Sequence, residues 1–81
     1  MMYFVIEIQK WKDGTWHNIV TQHESRMEAE STYYTILAAS AIKEEPRNGA
    51  AILDGNGNVI MSYVYQHGEW EGYKDVTEEI V

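Results

Sequence analysis

The sequence predicts an α+β fold with the element order ββαββ, in which a four-stranded, mainly antiparallel sheet carries one helix across one face. Three observations lead to this prediction. Apolar and polar residues alternate near the N-terminus, glycine-containing turns divide two later segments, and a helix start signal lies between them. These patterns leave the order of the strands in the sheet open.

The first two strands are predicted to form a hairpin around Asp13-Gly14. Residues 2–10 alternate with a period of two, which is typical of a half-buried strand. The apolar residues on one of its faces are Phe4, Ile6 and Ile8. If Asp13 and Gly14 form a two-residue loop, Trp11 pairs with Trp16, so we expect the two tryptophans to lie side by side.

A helix is predicted to begin after Ser25, because Ser25 and Glu28 have the spacing of a capping box. It can continue through Lys43 to Glu45 and has to end by Pro46, since the residue before a proline disfavours helical geometry. One helix face carries Ala29, Tyr33, Ile36, Leu37, Ser40 and Ala41, and it is widened by Met27, Tyr34, Ala38 and Ile42. This helix therefore has a broad apolar surface to cover.

A second hairpin is predicted from Gly49–Leu53, the turn Asp54-Gly55-Asn56-Gly57, and residues 59–65. The last of these strands is apolar on both faces, which favours a central or interface strand over a water-exposed edge. We therefore expect one compact domain over residues 1–67. Residues 68–81 form an acidic tail, for which a short strand and disorder both remain open.

Composition excludes several classes of function. The 81 residues include thirteen acidic and six basic residues, a net charge of −7, which disfavours generic binding to nucleic acid or to anionic membranes. No apolar stretch approaches the length of a membrane span, and the N-terminus lacks the pattern of a secretory signal, so we expect a cytoplasmic protein. A chain this short without cysteine is marginal as a monomer, which favours a homo-oligomer.

The sequence predicts neither an enzyme nor a metal or cofactor site. The segment Asp54–Asn58 resembles the start of a calcium loop, but Val59 and Tyr65 stand where that loop needs glycine and glutamate. The three histidines, His17, His23 and His67, lack the close spacing of a dedicated metal site. No catalytic signature is present, so we expect no catalytic residues, metal or cofactor.

Aromatic residues are the least ordinary feature of the chain, with three tryptophans and six tyrosines. Such residues either replace aliphatic bulk at a subunit interface or bind a ligand or protein partner, and the sequence supports the two interpretations equally. Arg26 and Arg47 are candidate partners for an anionic ligand. The predicted ligand-binding residues are Trp11, Trp16, Arg26, Tyr33, Tyr34, Arg47, Tyr63 and Tyr65.

Four segments together resemble small uncharacterised proteins encoded by phages and prophages of Firmicutes. The segments are MYFVIEIQK, the Asp13-Gly14 turn, the helix from Ala29-Glu30-Ser31 to Leu37-Ala38-Ala39, and AAILDGNGNVIM. The resemblance covers roughly residues 2–67 and carries no catalytic motif. It implies a genomic setting, in which a small accessory protein in the host cytoplasm binds something that belongs to the host.

Four functions compete at this stage. The favoured one is a counter-defence protein that sequesters a nucleotide immune signal in an aromatic pocket at an oligomer interface. A second is an inhibitor whose acidic surface masks a host defence protein or nuclease. A structural or morphogenesis role in the phage particle is a third. An enzyme whose active site is shared between subunits comes last.

Overall fold

The computed structural model describes residues 1–67, and over these it confirms the predicted ββαββ fold. The elements are β1 (Tyr3–Lys10), β2 (Trp16–His23), α1 (Arg26–Ser40), β3 (Arg47–Leu53) and β4 (Val59–Gln66). The four strands form one antiparallel sheet in the order β2-β1-β3-β4. The predicted acidic tail, residues 68–81, lies outside the described residues.

The first hairpin has a register different from the predicted one. Trp16 pairs with Lys10 and not with Trp11, because the loop is one residue longer than the two-residue turn expected. The N–H of Gly14 donates to the Trp11 carbonyl, and Gly14 has a φ of 90°, which is the geometry of a three-residue loop that ends in a bulge. Hydrogen bonds from the hydroxyl and N–H of Thr15 fix Asp13 in this loop and lower the pKa of its carboxyl.

The helix begins as predicted and ends earlier than predicted. Ser25 caps it, with its Oγ accepting from the N–H of Glu28 at 3.1 Å. Its last residue is Ser40, whereas the sequence predicted that it could continue to Lys43 or beyond. The chain tightens after Ser40, since the N–H groups of Ile42 and Lys43 donate to carbonyls three residues earlier, as at many helix ends.

A small core joins α1 to one face of the sheet. Its buried members are Val5, Ala29, Tyr33, Ala50 and Ile52. Ile36 and Leu37 of the helix pack against them, while the expected extension of the helix face at Met27, Tyr34 and Ile42 stays exposed. The core is thin, because two of its five buried members are alanines.

The second hairpin has the predicted turn, but β4 is an edge strand of the described sheet and not a central one. The N–H of Gly57 donates to the Asp54 carbonyl, and Gly57 adopts a φ of 86°. The Asp54 carboxylate accepts from the N–H groups of Asn56 and Asn58, both at 2.9 Å. The register of β3 with β4 then shifts between Ile52 and Leu53.

Candidate functional site

Among residues 1–67, no element packs on the sheet face opposite the helix, because the one helix of these residues lies on the other side. This face is here called the open face. Side chains alternate along a strand, so the residues between the core positions of β1 and β3 point to this open face. Paired residues arrange it in four rows across β2, β1, β3 and β4. The rows are Gln22–Phe4–Leu53–Val59, Val20–Ile6–Ala51–Ser62, Asn18–Ile8–Gly49–Val64 and Trp16–Lys10–Arg47–Gln66.

Charge is distributed unevenly between the two faces. Of the eight acidic residues in positions 1–67, Glu7 is the one that lies on a strand. Glu7 pairs with the core residue Ala50 and so lies on the helix side, where its carboxylate is 3.6 Å from the Lys43 ammonium. Within the described residues the open face therefore carries no carboxylate, although the whole chain has a net charge of −7.

The last of the four rows, here called the tryptophan row, combines a ring with two cations. It consists of Trp16, Lys10, Arg47 and Gln66. The Lys10 ammonium lies 5.6 Å from the centroid of the Trp16 ring, within the range of a cation–π contact, and the Trp16 residue is 56% exposed. Neighbouring strands are about 4.8 Å apart, so Trp16 and Arg47, two strands apart, are separated by about 10 Å.

This arrangement suits a ligand with a flat ring at one end and an anionic group at the other. An exposed tryptophan offers a stacking surface, and two cations beside it can hold a phosphate. The two rows next to the tryptophan row have the apolar residues Ile6 and Ile8 on their β1 positions. Because residues 1–67 contribute no carboxylate to this face, they repel a bound anion there less than the net charge of the chain suggests.

The four predicted tyrosines lie on the helix side of the sheet. Tyr33 and Tyr34 belong to α1, and Tyr63 and Tyr65 belong to β4. Tyr33 is 3% exposed and forms part of the core, and its ring meets that of the exposed Tyr34 edge to face at 5.2 Å. Tyr63 and Tyr65 contact each other in the same way at 4.8 Å. Burial raises the pKa of Tyr33, and the nearby Tyr34 and Tyr65 add to this rise.

The two remaining predicted residues are apart from both groups. Trp11 stacks on His17 with ring centroids 3.7 Å apart, and its Nε1 donates to the Gln9 side chain at 2.8 Å, which places it on the helix side. Arg26 begins the helix and pairs with Glu30 at 2.8 Å. The structure therefore brings together Trp16 and Arg47, and it separates them from the other six predicted residues.

Sequence reasoning missed Lys10 as a member of the site. The signal was present, because Lys10 continues the alternation of Phe4, Ile6 and Ile8 and so shares their face. The predicted pairing of Trp11 with Trp16 placed Lys10 and Trp16 on opposite faces, since a shift of one residue moves every side chain of a strand to the opposite face. With the observed register, Lys10 stands beside Trp16.

Neither a metal-binding cluster nor a membrane-spanning helix occurs among residues 1–67. No group of three or more histidine, aspartate or glutamate side chains is placed there to hold a metal ion. Within the same residues, no helix is long and apolar enough to cross a membrane.

Comparison with known proteins adds no relative. No protein family, curated protein or solved structure matches the chain. The resemblance to phage accessory proteins thus stays a prediction from the sequence.

Proposed function

We propose that this protein is a non-enzymatic binding protein that captures a nucleotide with the tryptophan row of its open face. The observation that carries the proposal is the presence of Trp16, Lys10 and Arg47 in one row on a face to which residues 1–67 contribute no carboxylate. The base stacks on Trp16, and the phosphate binds to Lys10 and Arg47, which are about one and about two strand spacings from Trp16. The biological purpose we infer is the sequestering of a nucleotide immune signal during phage infection, for which the sequence resemblance is the ground.

The tyrosines support the proposal less directly. Tyr33 is buried in the core, and we leave it out of the proposed site. Tyr63 and Tyr34 are each 53% exposed, but they lie on the helix side and cannot contact a ligand held by Trp16 of the same chain. The proposed binding residues are therefore Trp16, Lys10 and Arg47.

Isothermal titration of the full chain with ADP-ribose and with a cyclic dinucleotide tests this proposal, and the chain supplies matched controls. Trp16→Ala and Arg47→Ala are expected to weaken binding of the preferred nucleotide about tenfold or more, because stacking on one ring contributes about 1–3 kcal/mol. Trp11→Ala and Arg26→Ala remove the same residue types from other surfaces, so binding should stay at the wild-type level.

Two results would overturn the proposal. One is the absence of binding for both nucleotides. The other is equal loss in the Trp11 and Trp16 variants, which would show that the ligand does not distinguish the two faces. Either result would shift the interpretation to the masking of a host protein, for which the carboxylates outside the open face are the candidate surface.

A further inference from the structure

Within residues 1–67, much of the apolar surface on the open face is not covered by another element. The buried apolar residues on the helix side of the described chain are Val5, Ala29, Tyr33, Ala50 and Ile52, of which two are alanines. In contrast, Phe4, Ile6 and Ile8 on the open face are only partly buried, and Val20 is 57% exposed. A chain of this size gains little stability from so small a core, so covering the second face would stabilise it substantially.

The size of the open face matches that of a specific interface. Four strands at a spacing of about 4.8 Å, each about eight residues long at about 3.4 Å per residue, give a face of about 500 Å². Two such faces in contact bury about 1,000 Å², the lower limit for a stable and specific association. A patch of about 500 Å² is also near the upper end of what monomeric proteins expose.

We propose that the open face is the interface of a homodimer in which two copies of the chain stack sheet against sheet. The central residues, Ile6 and Ile8, would pack against the same residues of the partner subunit, as the inner faces of a β-sandwich do. Repulsion between two chains of net charge −7 opposes any pairing of their acidic surfaces. The open face avoids this repulsion, because no carboxylate of residues 1–67 lies on it.

Stacking of the whole open face has a consequence for the tryptophan row. In either two-fold arrangement, with the axis parallel to the strands or across them, this row lies against a row of the partner subunit, which is its own copy in the first case and the row of Phe4 and Leu53 in the second. The dimer therefore does not depend on the capture of a nucleotide, and it competes with the nucleotide for the tryptophan row.

A matched pair of variants on the edge strand β2 tests the interface. Ile19 and Val20 are neighbours with almost equal exposure, 56% and 57%, and they point to opposite faces of the sheet. Val20→Lys adds a cation to the proposed interface, whereas Ile19→Lys adds the same charge to the helix side. Both positions are exposed, so thermal melting should show that both variants fold.

Sedimentation equilibrium of the full chains gives the readout. We expect the wild type and Ile19→Lys to sediment at twice the chain mass of 9.4 kDa, and the dimer dissociation constant of Val20→Lys to rise at least tenfold. Equal association of the two variants would overturn the proposal, as would a monomeric wild type. If the wild type is monomeric and Val20→Lys lowers its stability while Ile19→Lys does not, another segment of the same chain covers the open face.

Discussion

Single residues on adjacent strands decide where binding chemistry is found in this protein. The two tryptophans of the first hairpin are five residues apart, yet Trp11 stacks on His17 on the helix side and Trp16 lies beside Lys10 on the open face. Their separation follows from one extra loop residue, since the positive φ of Gly14 creates a bulge. At this scale the proposed site depends on the hairpin register as much as on residue type.

The buried Tyr33 leads to a prediction about alkaline pH. Its pKa is raised on folding, mainly by burial, so its ionisation favours the unfolded chain once the pH exceeds about 10. The stability that the neutral ring contributes is present below that pH and is lost as the pH rises through the raised native pKa. Tyr33→Phe should therefore lose less stability than the wild type between about pH 8 and about pH 11, as measured by urea unfolding.

The exposed Tyr63 provides the control for this experiment. Tyr63→Phe removes a hydroxyl from the same side of the sheet and should keep the alkaline loss of the wild type. If Tyr33→Phe and the wild type lose the same stability as the pH rises, ionisation of Tyr33 does not cause the alkaline loss.

At the scale of elements, local chemistry in the sequence predicted the two hairpins and the helix start. Ser25 caps α1 as expected, and Asp54–Gly57 forms the second turn. The end of the helix was not predicted, because nothing between Ser40 and Pro46 marks where the last turn tightens. Strand order was left open for a different reason, since the pairing of β1 with β3 joins segments that are distant in sequence.

Gly49 shows how closely two of these elements approach each other. A Cβ at this position would overlap the Tyr63 carbonyl oxygen and come within 2.5 Å of Val64 Cα in the adjacent strand. Gly49→Ala is therefore expected to lower the free energy of unfolding by about 2 kcal/mol, measured by urea denaturation, because β4 would have to move.

Gly55→Ala in the second turn is the comparison for that variant. Its added Cβ would come no closer than 3.3 Å to Met2, so a shift of a few tenths of an ångström accommodates it. An equal loss of stability in the two variants would contradict the close approach of β3 and β4.

The candidate site was only partly predictable from sequence, for physical reasons. An aromatic surplus identifies residue types that bind ligands, and on that basis Trp16 was selected, whereas Arg47 was selected as a candidate partner for an anionic ligand. It does not assign them to faces, because a face depends on register, and register depends on loop length. For this reason Lys10 was missed and Tyr63 and Tyr65 were grouped with Trp16, whereas Tyr33 and Tyr34 lie on the helix, whose choice of sheet face the sequence leaves open.

At the scale of the whole molecule, the distribution of charge gives the two faces different roles. The described carboxylates lie on the helix side and in the loops, so the open face is apolar with cations at one end. A face of this composition can pair with its own copy or bind an anion on the tryptophan row, with less repulsion than the net charge of the chain suggests. The central claim is that the protein acts by binding through this open face.

Native mass spectrometry of the full chain with added nucleotide tests this claim most directly, because one spectrum reports both the number of subunits and the ligand bound. For the wild type we predict pairs of chains without nucleotide and single chains that carry it, with the pairs lost in Val20→Lys and the nucleotide lost in Trp16→Ala. Single chains without nucleotide in the wild-type spectrum would contradict the claim.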